Sequence, residues 1–67
     1  MDIDIRKYIK DNFKDSKKED IRNSIDASIK ENDEVTLPGL GVFFEILWNN
    51  SDDQYKEKIL DILKSNI

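Results

Sequence analysis

The chain has 67 residues, with 15 acidic and 11 basic side chains, a formal charge of −4, and neither cysteine nor histidine. That length allows one domain, near the lower limit for an unassisted hydrophobic core. The missing residue types exclude disulfides, zinc–thiolate sites and the commonest general base and pH switch. Residues 1–30 hold 8 basic and 7 acidic side chains, while residues 31–67 hold 3 and 8. Neither half has the basic excess of a sequence-independent nucleic-acid binder.

The opening Met1-Asp2-Ile3-Asp4-Ile5-Arg6 is charged where a signal peptide would need an apolar run, and no stretch approaches the length of a membrane span. An intracellular, aqueous location is expected, with no membrane partner. Ile5, Tyr8, Ile9 and Phe13 recur at helical spacing, which predicts a first amphipathic helix over about residues 3–13. Ser16 followed by Glu19 matches a capping box, Ser16 being the expected N-cap. Ile21, Ile25 and Ile29 then predict a second helix over about 17–31, closed at Asn32-Asp33.

Glu34-Val35-Thr36-Leu37 is short and β-branched, and it precedes proline, so an extended segment is expected there. Pro38-Gly39-Leu40-Gly41 holds the only proline and both glycines and is expected to form a tight turn. Val42-Phe43-Phe44-Glu45-Ile46-Leu47-Trp48 is almost wholly apolar, and periodicity does not separate helix from strand in so short a run. Helix is preferred, because no hairpin partner follows. Ser51 with Gln54 forms a second capping-box pattern, and Tyr55, Ile59, Ile62 and Leu63 predict a last helix over about 52–65. The expected fold is all-α, with three to four helices and a Pro-Gly-Leu-Gly turn leading into a buried apolar segment. The alternative is α+β with a short hairpin around residues 34–48.

No constellation supports catalysis. Asp52-Asp53 suits a helix start better than a cation site, and Ser16 and Ser51 have no base to activate them. Two glycines without a following Lys-Ser/Thr do not make a phosphate loop. No catalytic residue, metal site or cofactor is expected. Arg6, Lys10 and Lys14, with Lys17 and Lys18, form a basic stripe and the candidate phosphate contact. Interleaved Asp4, Asp11, Asp15 and Asp20 make a solvated face the simpler reading. Phe43, Phe44 and Trp48 are the candidate partner or dimer surface, with core as the competing fate. A core of this size rarely supplies more than roughly 3–5 kcal/mol, so a homo-oligomer is a candidate source of further stability.

The segment Leu37-Pro38-Gly39-Leu40-Gly41-Val42-Phe43-Phe44-Glu45-Ile46-Leu47-Trp48 resembles the signature of the small, acid-soluble spore protein I family, minor spore-core proteins of endospore-forming Firmicutes. Ile25-Asp26-Ala27-Ser28-Ile29, the opening six residues and the acidic closing helix are similar as well, so the resemblance spans nearly the whole chain. Lys7 stands where the family often has His, and Asn32 or Asp33 where it often has Gly. The resemblance implies a non-enzymatic protein made in the forespore and resident in the spore core, without implying a molecular activity. Residues Glu31 to Phe43 also resemble, more weakly, the charged turn of histone-like DNA-bending proteins. The basic arm of that family is replaced here by the polar and acidic Asn49 to Gln54, so nucleic-acid binding is the less favoured alternative. A small protein–protein adaptor is the other.

Overall fold

A computed structural model of the chain describes residues 4–31 and 34–67. It is all-α: α1 (Ile5–Phe13), α2 (Lys18–Glu31), a 3₁₀ turn (Glu34–Thr36), α3 (Leu37–Asn49) and α4 (Asp53–Ser65). Among the described residues there is no strand, so the hairpin alternative around 34–48 is set aside. The helical reading of 42–48 holds.

The helix ends follow from local chemistry. Asp4 opens α1, its carboxylate accepting the Lys7 N–H at 3.1 Å. The second start lies one residue beyond the expected one. Lys17 stands before the first helical residue, and its N–H donates to Asp20 Oδ2 at 3.0 Å, the side chain at the third helical position reaching back as in a capping box. The expected Ser16 cap is corrected accordingly. Ser51 is corrected in the same direction. Asp52 is the cap of α4, accepting from the Tyr55 N–H at 2.8 Å. The Ser51 hydroxyl instead donates backwards to the Leu47 carbonyl at 2.6 Å, helping Asn50 close α3. The Asn50 side-chain amide takes the Ile46 carbonyl at 2.8 Å. In both cases a serine followed within a few residues by aspartate mimics a capping serine. At α4 the Asp52 carboxylate takes the role, since it accepts more strongly and is favoured at the positive end of the helix dipole, whereas at α2 Asp20 accepts the N–H of the residue before the helix.

The expected turn at Pro38-Gly39-Leu40-Gly41 is the first turn of α3 instead. Proline in the first turn loses no intrahelical hydrogen bond, because the leading N–H groups have no partner there. The extended segment expected at 34–37 is likewise a 3₁₀ turn running directly into α3. Thr36 ties that turn to the end of α2, its hydroxyl donating to the Ser28 carbonyl at 3.3 Å. The expected end of α2 at Asn32-Asp33 lies outside the described residues.

α3 is the axis of the fold. α1 packs along it and α2 rests against it, while α4 makes only marginal backbone contact with the rest. Phe13 and Phe43 meet edge-to-face, with centroids 5.4 Å apart, and fix α1 on α3. Among the described residues Val42 alone is buried, at 8% exposure, and no side chain is wholly enclosed. The apolar segment is therefore only partly covered, contrary to the buried segment expected. The Cα radius of gyration is 13.2 Å, against about 11 Å for a compact chain of this length. The stripe on α4 stays open, Ile62 at 64% and Leu63 at 43%.

Candidate functional site

α3 is apolar nearly all round, and its two sides have different surroundings. The inner side, with Leu40, Phe43, Ile46 and Leu47, joined by Phe44, which reaches both sides, meets Ile9 and Phe13 from α1 and Ile21 and Ile25 from α2. Together they line an apolar groove of about 510 Å³. The outer side carries Leu37, Gly41, Phe44 and Trp48, spaced by four, three and four residues. Phe44 and Trp48 stack with centroids 5.9 Å apart and planes 25° apart. The Lys56 ammonium of α4 sits 5.2 Å from the centre of the Trp48 ring, a cation–π contact between α4 and α3.

The sole charged residue on α3 is Glu45. Arg6 grips it with two parallel hydrogen bonds, Nε to Oε1 at 2.6 Å and Nη2 to Oε2 at 2.8 Å, the paired geometry that only a guanidinium supplies. The Arg6 hydrogen bond holds the Glu45 carboxyl below its ordinary range, aided by the charges of Arg6 and Lys10 and opposed by partial desolvation. Glu45 in turn raises the Arg6 guanidinium. Arg6 is largely open to solvent, so the pair contributes alignment of α1 on α3 more than stability. Its pH dependence has a definite sign. A carboxyl depressed in the folded chain stabilises it above the unfolded pKa, and this is lost as pH falls through the folded value. Glu45→Gln should therefore melt slightly below the wild type at pH 7, and the two should converge as pH falls below about 4. Thermal melts at several pH values, followed by circular dichroism, check this.

The candidate phosphate contacts are thereby separated. Arg6 is committed to Glu45, whereas Lys10 and Lys14 are exposed. Lys10 stands at the rim of the apolar groove. Phe43, Phe44 and Trp48 also part company. Phe43 turns inward onto Phe13, while Phe44 and Trp48 form the outer plate. The Arg6–Glu45 clamp was missed from the sequence, where the two lie 39 positions apart. The available signal was a lone charge on an otherwise apolar helix, which must be either solvated or paired. Among the described residues no group of three metal-capable side chains converges, and no helix is long and apolar enough to cross a membrane.

The family model described as small, acid-soluble spore protein I matches residues 3–67. Curated relatives carrying that same name include one from Geobacillus kaustophilus, 34% identical over the whole chain and 97% of the relative. One from Geobacillus sp. strain WCH70 is 36% identical over the whole chain and 94% of the relative. One from Halalkalibacterium halodurans is 30% identical over the whole chain and 98% of the relative. No solved structure matches.

Proposed function

The chain belongs to the small, acid-soluble spore protein I family, and from that membership we propose that it is a non-enzymatic protein made in the forespore and kept in the core of the endospore as a single small domain. The observation that carries this reading is the match along the full chain, from residue 3 to residue 67. It is not a short shared motif on an unrelated scaffold. The side-chain inventory agrees, since there is no histidine or cysteine to act as base, nucleophile or soft metal ligand.

A DNA-bending role has less support. The net charge is −4, and the one arginine in the stripe, Arg6, would have to release Glu45 to reach a phosphate. Lys10 and Lys14 remain the better candidates for any phosphate contact. Such binding would be weak and would fall steeply with salt.

The test is an immunoblot of acid extracts from growing cells and from purified spores of the source organism. A signal confined to spores is the expected result. Equal signal in growing cells would overturn the spore reading and bring the adaptor and DNA-binding alternatives forward.

A further inference from the structure

We propose that the outer side of α3, the stripe Leu37, Gly41, Phe44 and Trp48, is the seam of a two-fold symmetric dimer, and that its occupant is the same stripe of a second copy of this chain.

The first argument is that α3 is only half covered. A helix that is apolar all round is stable only when it is surrounded, and α1 and α2 occupy one side. On the other side Leu37 is 59% exposed and Phe44 43%. The single charge of α3, Glu45, is already paired with Arg6, and the Lys56 ammonium of α4 lies over the Trp48 ring at one end of the stripe, which leaves Leu37, Gly41 and Phe44 as an uncharged surface.

Area gives an independent argument. The chain exposes 6249 Å², whereas a compact monomer of 7.9 kDa exposes about 4,400 Å². The surplus, roughly 1,800 Å², exceeds the ~800 Å² per partner that a stable interface of ordinary size removes.

The third argument is pattern. Four-three-four spacing is the seam of helices packing nearly side by side. An antiparallel pairing about a two-fold axis places each residue against its mirror position in the stripe. Gly41 has no atom within 4 Å of where a Cβ would stand, so it leaves a notch between Leu37 and Phe44. The Phe44 ring of the other copy fits that notch, with the stacked Trp48 beside it. Such self-complementarity is what a two-fold interface requires, and a buried tryptophan is a typical anchor. The seam spans about 17 Å, the rise of a helix from Leu37 to Trp48. The face of α4 is a poorer candidate. Its apolar arc is interrupted by Lys56, which lies over Trp48, and Lys58, 5.7 Å from the Tyr55 ring, flanks it.

Like charge opposes the pairing, since each copy carries −4. Added salt should therefore strengthen it, the opposite of the response expected for nucleic-acid binding. The inference does not depend on residence in the spore.

The experiment is sedimentation equilibrium of the full chain from about 1 to about 500 µM, at low and at moderate salt, the range in which a weak interface shows itself. Emission of Trp48, the only tryptophan, is followed in parallel. The expected result is a mass rising from 7.9 kDa to twice that value, a blue shift of Trp48 emission with association, and tighter association at higher salt. Phe44→Glu should weaken association by about 30-fold or more with helicity largely kept, because Phe44 is 43% exposed within one chain. Ile62→Glu on α4 should leave the association intact. A constant mass of 7.9 kDa over the whole range, growth beyond two copies, or association lost in Ile62→Glu but kept in Phe44→Glu would each overturn the proposal.

Discussion

Truncation of Phe43 to alanine is expected to remove more than half of the folding stability of the chain. The ring is the wedge at the junction of three helices. It meets Phe13 edge-to-face, and it forms a wall of both the apolar groove and a second hollow among α1, α2 and the 3₁₀ turn. Removing it joins the two spaces and detaches α1 from α3. Loss of a packed phenylalanine destabilises by about 3 kcal/mol, taking the lower end because the ring is partly exposed. Small cores supply only roughly 3–5 kcal/mol in total. The melting midpoint should fall by about 12–24 °C, or the cooperative transition should vanish. Its neighbour is the control. Phe44→Ala, melted at a concentration low enough to keep chains single, should lose less than about 1 kcal/mol. Equal losses would mean that the inner and outer sides of α3 are misassigned.

How much of this was legible in the sequence depends on which force decides each feature. The first, second and last helices were, because Ile5/Tyr8/Ile9/Phe13, Ile21/Ile25/Ile29 and Tyr55/Ile59/Ile62 repeat at the period of a helix that rests one face on something else, whereas periodicity did not separate helix from strand over 42–48. The Pro-Gly-Leu-Gly stretch was misread for a physical reason. Proline and glycine mark turns because they disfavour helix interiors, but the proline penalty is small in a first turn, where the N–H groups are unpaired in any case. Six apolar residues among the next seven then reward continuing the helix, and tertiary burial outweighs local propensity. The starts expected at Ser16 and Ser51 slipped by one residue because nearby aspartates fix the ends instead: Asp52 accepts the Tyr55 N–H, and Asp20 reaches back to the Lys17 N–H.

The site was less legible. That Phe43, Phe44 and Trp48 belong together follows from composition, but which ring faces inward depends on the helical phase of α3 against α1. The Phe13 contact settles that phase, and the sequence does not. The pairing of Arg6 with Glu45 is similarly a product of packing. Once α1 lies along α3, the lone carboxylate falls within reach of a guanidinium at the start of α1, and the two groups neutralise each other. What remains on the outer side is an apolar stripe without charge. The clamp therefore connects local chemistry to the association proposed above: it withdraws the only group on α3 that could keep two copies apart.

The glycine on the inner side leads to the second large effect, in the opposite direction. Gly39→Ala is expected to stabilise the chain by about 1 kcal/mol, from lost unfolded-state freedom and better helix propensity. Its backbone is not in the left-handed region, so alanine introduces no strain there. The added Cβ would stand 3.6 Å from Ile9 Cδ1, an ordinary van der Waals contact that extends the α1–α3 interface. For a domain of this size the midpoint should rise by about 4–8 °C. A thermal melt at low protein concentration reads it without interference from association. Gly39→Leu should behave oppositely, since the longer side chain must displace Ile9 and lift α1, and with it Phe13, away from α3. A fall in midpoint for Gly39→Ala would show that α1 lies closer to α3 than described, with the glycine required for close approach. A rise would show that the residue is tolerated there without being needed, and that the inner face of α3 still has room for one more methyl group.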